Sequence, residues 1–583
     1  MSEAQLDWQT FEPSAFDRAR REGRPVLLLL TVTWCAHCRE LLRTSFAHPE
    51  TVDLVQSSFV PVHVDAERRP DINERYGAGG WPTIAFLTPS GELIAHDGYL
   101  SPDELAKALR KVSHYFRENG EEIDRGLREL WSHKLASRDA TSAGQLSMSI
   151  VEDVCNAMYE KFDHRFGGWG EGSKFPHPEA IDFALVQVAK RDDPRMKEVV
   201  TVTLDRMMES PIHDPIDGGF FRYSKTPDWQ SPNYEKVLDA NVQRLRCYLE
   251  AWQLLGKKAY RQTAEGVVRW MLEFMLDEEG AFFGSQDADP AYYSLDGSRR
   301  GEAERPRLDR TVYAHANAMA VSNLLKASVV LERNDLRGVA MRALHFLLEK
   351  LSDRDGEVYH YWDGTYHLPG LLSDQAYLIR ALIDASQLTG DADLLLPAER
   401  VAENVIQRQR ADGGGFWDIL GDPSYQGSMQ RRNRSILENS VMAEALMRLS
   451  YLSKRSEFYD EALRTLEAFT GDYKEYGYYV AGYGRAVDLV FYPPLLVTVV
   501  GDRESDATDA LRRRALRDYV PSRIVQMLDP ERDPVLLERA GYPAKGTPTV
   551  YLCVGRATKA TVQTPDELTA KIDEIERERR RGA

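Results

Sequence analysis

Apolar and polar positions along the chain fall into three regimes. The first opens on an unbroken apolar run, Pro25-Val26-Leu27-Leu28-Leu29-Leu30-Thr31-Val32, and continues with Phe59-Val60-Pro61-Val62-His63-Val64-Asp65 and Thr83-Ile84-Ala85-Phe86-Leu87. Short apolar runs bounded by turn residues predict buried strands. Leu41, Leu42 and Phe46 carry helical spacing after the first run, and Ser101-Pro102-Asp103-Glu104-Leu105 caps a last helix beyond a strand pair that ends near Gly98. The predicted order is β-α-β-α-β-β-α over residues 1–116. Residues 117–145 are polar and helix-leaning and read as a connector. From about residue 146 the period becomes that of long helices without strands, as in Leu238, Val242, Leu245, Leu249, Trp252 and Leu255, or Val441, Ala445, Leu449 and Leu452.

Between those helices a loop recurs in which glycine meets aromatic residues. It appears as Phe166-Gly167-Gly168-Trp169, Asp217-Gly218-Gly219-Phe220-Phe221, Glu279-Gly280-Ala281-Phe282-Phe283, Gly356-Glu357-Val358-Tyr359, Gly413-Gly414-Gly415-Phe416-Trp417 and Tyr476-Gly477-Tyr478-Tyr479. First glycines are 51 to 76 residues apart, room for two helices each time. Six stacked helix pairs predict a closed (α/α)6 toroid over residues 146–485. The polar stretch Asp296 to Arg310, in the widest gap, reads as an inserted loop.

Near residue 490 strands return, and residues 486–583 repeat the start of the chain. Pro494-Leu495-Leu496-Val497-Thr498-Val499-Val500 parallels the run at Pro25, and Gly546-Thr547-Pro548-Thr549-Val550-Tyr551-Leu552 parallels Gly80-Trp81-Pro82-Thr83-Ile84-Ala85-Phe86. Pro25 to Pro82 spans 57 residues and Pro494 to Pro548 spans 54. A generic α/β cap is the competing reading of this segment. The fold class expected is multidomain α+β.

Charge and composition narrow the function. A net charge of −17 argues against a nucleic-acid partner, because phosphate binding needs a basic surface. The Met1–Asp7 stretch has no signal-peptide pattern, and no apolar run approaches the ~20 residues of a membrane span. A soluble cytoplasmic protein with no membrane partner is expected.

The chemistry centres on Trp34-Cys35-Ala36-His37-Cys38, between the first strand and the first helix. C-x-x-C in that place is the thioredoxin arrangement. Cys35 would sit at a helix N-terminus, where unpaired N–H groups and the helix dipole favour the attacking thiolate, and Cys38 would resolve the mixed disulfide. Pro82 is expected to be cis and to face the pair, with Trp34 and Trp81 flanking a substrate groove. His37 either favours the thiolate when protonated or is an exposed helix residue. Zinc would need two further ligands, and Cys155, Cys247 and Cys553 stand singly, so neither a metal nor a cofactor is expected. Haem attachment would need histidine where Arg39 stands. The second copy has Gly501-Asp502-Arg503-Glu504-Ser505-Asp506 in place of its cysteines, which excludes dithiol chemistry there.

A closed toroid would gather its loops at one mouth. The polar residues there are Lys174, His177, Asp217, Arg222, Tyr223, Asp228, Glu235, Lys236, Asp287, Asp289, Asp374 and Glu438. Carboxylates among aromatic rings suit a carbohydrate, by stacking and proton transfer. The same residues also serve as tight turns, barrel plugs and helix caps.

Several segments resemble the family of thioredoxin-like proteins named after spermatogenesis-associated protein 20. The matches are the C-x-x-C with Ser45-Phe46, then Val64-Asp65-Ala66-Glu67-Arg68-Arg69-Pro70-Asp71, Gly79-Gly80-Trp81-Pro82, and Phe166-Gly167-Gly168 leading to Lys174-Phe175-Pro176. Asp217 to Ser224, Asp228-Trp229, Tyr234-Glu235-Lys236, Ser285 to Asp289 and Gly370 to Asp374 complete the set. The resemblance implies a thioredoxin domain joined to a six-hairpin toroid. Asn233 stands where the family has histidine, so a proton-transfer role does not carry over to that position. Two functions compete. One is a thiol–disulfide oxidoreductase acting on protein thiols or disulfides, with the toroid as a substrate- or ligand-binding module. The other is a carbohydrate-active enzyme, glycosidase- or epimerase-like, or a binding protein for a sugar or small molecule, with its site in the toroid mouth.

Overall fold

The computed structural model describes residues 6–138, 144–555 and 557–582. The chain divides into two compact units, Met1–Thr141 with Asp418–Asn433, and Ser142–Trp417 with Arg434–Ala583.

In the first unit α1 (Pro13–Glu22) precedes β1 (Val26–Thr31), α2 (Ala36–Arg43), α3 (Pro49–Ser58), β2 (Val60–Asp65), α4 (Pro70–Tyr76), β3 (Thr83–Leu87), β4 (Leu93–Asp97) and α5 (Pro102–Arg138). The sheet order is β2-β1-β3-β4, with β1 parallel to β2 and antiparallel to β3. Every residue of β1 is buried, which is why its sequence is apolar without alternation. The helical pattern through Phe46 is broken earlier than its spacing predicts. α2 stops at Arg43 and Pro49 opens a separate α3, because a residue before proline disfavours helix. Phe46, now in a turn, is still buried, edge-on to Trp8 with centroids 5.3 Å apart. α5 runs unbroken through the polar segment after residue 116 as far as Arg138, and residues 139–143 of the expected connector lie outside the described residues. Asp418–Asn433 is tied into this unit by Arg431, whose guanidinium donates to both oxygens of Glu92 at 2.9 and 2.6 Å, and by Arg75, 2.9 Å from Asp418. Two-pronged pairs of this kind fix direction as well as contact.

The second unit runs through α6 (Met148–Glu160), α7 (Pro178–Arg191), α8 (Pro194–Glu209), β5 (Lys236–Val237), α9 (Leu238–Leu255), α10 (Lys258–Trp270), β6 (Ser285–Gln286), α11 (Pro290–Tyr293) and α12 (Gly297–Glu302). It continues with β7 (Leu308–Asp309), β8 (Val312–Tyr313), α13 (Ala314–Val330), α14 (Asp335–Lys350), β9 (Tyr359–Trp362), β10 (Tyr366–Pro369), α15 (Leu372–Thr389), α16 (Leu395–Arg408), α17 (Ile436–Ser453), α18 (Ser456–Glu467) and α19 (Ala481–Phe491). Helices α7, α9, α13, α15, α17 and α19 each pack on the next, and α19 packs back on α7 to close a ring. Helices α8, α10, α14, α16, α18 and α6 pair with them in the same order. Inner helices such as α13 and α15 are buried around most of their girth, whereas an outer helix such as α18 buries one face.

The glycine–aromatic loops lead from outer to inner helices, and three share one clamp. The side-chain amides of Asn241, Asn317 and Asn439, in the first turn of α9, α13 and α17, each accept from and donate to the backbone of one loop residue, Phe220, Phe282 and Phe416 respectively. Contrary to the reading of this region as strandless, the loops pair into two three-stranded sheets, β5-β6-β7 and β10-β9-β8. Strands of two to four residues are too short to leave a period in the sequence.

Beyond the ring lie β11 (Leu495–Val500), α20 (Asp506–Arg517), β12 (Arg523–Leu528), α21 (Pro534–Ala540), β13 (Thr549–Val554), β14 (Ala557–Val562) and α22 (Pro565–Gly582). Their sheet order, β12-β11-β13-β14, has the same parallel and antiparallel senses as the first sheet. Where the first sheet leads into two cysteines, Arg503 makes an ion pair to Asp533 at 3.2 Å and its N–H donates to Asp529. This sheet docks on the ring through Gln387, which accepts from the Val525 N–H at 2.7 Å, and Gln526, which donates to the Leu452 carbonyl at 2.8 Å. No helix among the described residues is long and apolar enough to cross a membrane.

Candidate functional site

Cys35 is the N-cap of α2, and its sulfur accepts a hydrogen bond from the Cys38 N–H at 3.2 Å. That bond and the helix N-terminus behind it favour negative charge on Cys35. Cys38 is one turn in, 1 % exposed. Its hydrogen bond with Cys35, its burial and the Cys35 charge together push its thiol far up from the ordinary value. All five cysteines are free thiols. Burial moves the thiol of Cys155 up to about 12 and that of Cys247 upward as well, and Cys553 is buried beside the Tyr542 hydroxyl. The Trp81–Pro82 bond is cis, as the Gly80-Trp81-Pro82 stretch suggested, and the Trp81 carbonyl lies 3.8 Å from the Cys35 sulfur. Trp34 and Trp81 meet edge to face with centroids 5.5 Å apart, and Asn73 holds the Trp81 indole N–H at 3.2 Å. His37 is largely exposed, 3.7 Å from Glu40.

In the second unit the mouth residues divide among separate pairs. Lys236 is fully buried and donates to Asp214 and to the Gly218 carbonyl, both at 2.7 Å. Asp217 pairs at 2.9 Å with Arg300, which also grips Asp214. Arg300 belongs to the inserted segment and was not singled out from sequence, since nothing local distinguishes it from the four other arginines between Asp296 and Arg310. Glu235 is held by Arg222 at 2.5 Å and by the Asn233 amide at 2.8 Å. Tyr223 stacks on Phe175 at 4.6 Å, and the Arg222 guanidinium lies 4.6 Å from the Tyr223 ring. Lys174 is fully buried against Asp163, and Asp287 pairs with Arg307 at 3.1 Å. Asp228 closes a turn with Thr226 and Gln230, and Asp289 caps α11. Glu438 donates its N–H to the Ser435 cap of α17. Asp374 meets two histidines that sequence reading did not single out, His315 and His360.

His177 packs its ring among Trp169, Tyr478, Tyr479 and Phe175, at 5.2 to 6.5 Å between centroids. Burial pushes its pKa down to about 4. The folded chain therefore binds fewer protons here than the unfolded chain, so the stability tied to neutral His177 is complete above the ordinary value near 6.5 and is lost as pH falls towards 4. The expected cost of acidifying across that window is at most about 3 kcal/mol. Melting wild type and His177→Asn at pH 7 and pH 4.5 checks this: the variant, tolerant of the left-handed backbone at φ 44°, should show the shallower pH dependence.

Inside the ring lies a cavity of ≈ 270 Å³, lined by all six inner helices, by Leu516 and by residues 518–524. Asp182, Arg246, Glu250, Arg380, Glu444 and Arg485 line it from five of those helices. Arg246 pairs with Asp182 at 3.3 Å and Glu250 at 3.1 Å, and Arg485 with Glu444 at 3.1 Å. Against the upward push of burial, the charges of Lys326 and Arg246 hold Glu250 well below the ordinary carboxylate range. Among the described residues Arg380 has no carboxylate within ion-pair distance, and burial lowers its pKa.

Residues 1–134 match the family model described as Thioredox_DsbH, protein of unknown function, DUF255. Spermatogenesis-associated protein 20 of Homo sapiens is 22% identical over 97% of this chain and 89% of that protein. The protein disulfide-isomerase of Hordeum vulgare is 29% identical over 16% of the chain and 17% of its own length. Among solved structures, cellobiose 2-epimerase from Spirochaeta thermophila aligns with 62% of the chain and 98% of its own, at 13% identity and a TM-score of 0.47. The chain is thus similar along nearly its whole length to spermatogenesis-associated protein 20, and its first 134 residues match a thioredoxin-type model of the DUF255 kind.

Proposed function

We propose that the protein is a cytoplasmic thiol–disulfide oxidoreductase that acts on protein thiols or disulfides through Cys35 and Cys38. The observation that carries this reading is the Cys35 sulfur at the N-cap of α2, accepting the Cys38 N–H, while the Cys38 thiol is kept protonated. In the reducing direction the Cys35 thiolate attacks one sulfur of a substrate disulfide, forming a mixed disulfide and releasing the other sulfur as a thiolate, which takes a proton. The charge and hydrogen bond of Cys35 that raised Cys38 are then gone. Cys38 loses its proton and attacks the Cys35 sulfur, which leaves a Cys35–Cys38 disulfide and frees the second substrate thiol. Two electrons pass to the substrate, and an external dithiol restores the pair. The Trp81–Pro82 backbone and the Trp34–Trp81 edge flank the sulfur as the substrate groove. The test is reduction of a fluorescent disulfide peptide by the purified chain with a dithiol as electron donor. No rate above the donor alone would overturn the proposal.

A second reading is carried by the ring cavity and the exposed Phe175 stacked on Tyr223: the toroid binds a carbohydrate or other small polar molecule. If it also turns one over, Glu235→Gln abolishes that activity and Cys35→Ser leaves it intact.

A further inference from the structure

Asp374 differs from the nearby carboxylates that are held in ion pairs. Glu235, Asp217, Asp287, Asp214 and Asp163 each face a lysine or arginine. Asp374 is 0 % exposed, and no lysine or arginine among the described residues lies within ion-pair distance of it. A buried carboxylate without a counter-charge is costly. What surrounds it is two imidazoles. His360 Nδ1 is 2.9 Å from Asp374 Oδ2, and His315 Nδ1 is 3.3 Å from Oδ1. The rings are parallel within 6° with centroids 5.6 Å apart.

The hydrogen bonding leaves one atom unaccounted for. Asp374 Oδ1 already accepts the backbone N–H of His315 at 3.0 Å, and His315 Nδ1 is buried with no hydrogen-bond partner of its own. An imidazole nitrogen that makes no hydrogen bond offers its lone pair to a Lewis acid in the tautomer protonated at the other ring nitrogen. One nitrogen of each ring and one carboxylate oxygen lie within 4.8 Å of one another. The three groups come from secondary structure that fixes them: His315 from the first turn of α13, His360 from β9, and Asp374 from the first turn of α15.

We propose that His315, His360 and Asp374 form a binding site for a divalent first-row transition-metal ion. Two imidazoles and one carboxylate favour such an ion over magnesium or calcium, which take oxygen ligands almost exclusively. The ion supplies the charge that Asp374 lacks. Three protein ligands leave coordination positions open to water or to an oxygen of a polar ligand, where the ion acts as a Lewis acid. The His315 side chain is 25% exposed, which gives the ion a way in. The sequence hid this site because its ligands lie 59 and 14 residues apart, with none of the short spacings that mark metal motifs.

The experiment is titration of the full chain with cobalt(II), followed by its visible d–d absorption. It is done in a Cys35→Ser, Cys38→Ser background so that no thiolate pair competes. The expected result is uptake of one equivalent, weakened more than ~100-fold by His315→Ala and again by His360→Ala, beyond what an outer-shell partner costs. Asp374→Asn should abolish uptake, but it also perturbs the α13 N-terminus and can unfold the chain, so the two histidine variants decide. No cobalt uptake, or uptake equally tight in both histidine variants, would overturn the site.

Discussion

Cys35→Ser abolishes disulfide reduction, with a loss of at least ~10³-fold in kcat/KM, because the attacking sulfur is gone and no other thiol can replace it. Cys155, Cys247 and Cys553 are buried in helical or sheet cores, and Cys38 is buried with its thiol pushed far up. Cys38→Ser has a different signature. The first attack survives, so the variant takes up one substrate thiol per chain and stops. A stopped-flow trace of the peptide mixed with pre-reduced chain, without the dithiol donor that would itself resolve the mixed disulfide, separates the two: no reaction for Cys35→Ser, and for Cys38→Ser release of one equivalent of peptide thiol with the other half held on Cys35. Equal residual turnover in both variants would mean that the pair does not act as attacker and resolver.

Gly218→Ala is expected to cost about 4 kcal/mol or more, placing it among the most damaging single changes in the chain. Gly218 has a φ of 88°, and a Cβ there would lie 2.0 Å from the Gly266 carbonyl oxygen in α10. Both obstacles are backbone, so no rotamer change relieves them, and the Gly218 carbonyl is also one of the two acceptors that hold buried Lys236. Gly172→Ala, where nothing lies within 4 Å, is the control and should stay within ~0.5 kcal/mol of wild type. Thermal unfolding checks the pair. Matching melting curves would show that the loop can shift to admit the methyl group, and the rigid clamp described for these turns would be wrong.

What could be read from the sequence follows from the range over which each signal acts. The Pro25 run and the Cys35–Cys38 spacing are local, so the strand and the helix N-terminus at Cys35 were legible, as was the parallel stretch at Pro494. The six glycine–aromatic loops were legible as a repeat because only glycine fits turns such as that at Gly218. The clamps behind them were not, because Asn241 or Asn317 on a helix looks like any polar residue until its amide is seen on a loop backbone. The polar residues between the helices could be named, but not how they pair: salt bridges such as Asp217–Arg300 and Glu235–Arg222 depend on packing that spacing does not encode. The same holds for Asp418–Asn433, which joins the first unit through Arg75 and Glu92, more than three hundred positions away in the chain. The break between α2 and α3 was signalled by Pro49 and is a matter of weighing proline above hydrophobic period.

The central claim is that Cys35 attacks and Cys38 resolves on a protein substrate. The most direct measurement is to express Cys38→Ser in cells, alkylate rapidly, and identify by mass spectrometry the proteins held to Cys35, with Cys35→Ser as the control. Discrete partners, disulfide-linked to Cys35 and absent from the control, are the predicted result. A Cys38→Ser sample indistinguishable from the control would contradict the oxidoreductase account and leave the toroid as the place to look for the protein's activity.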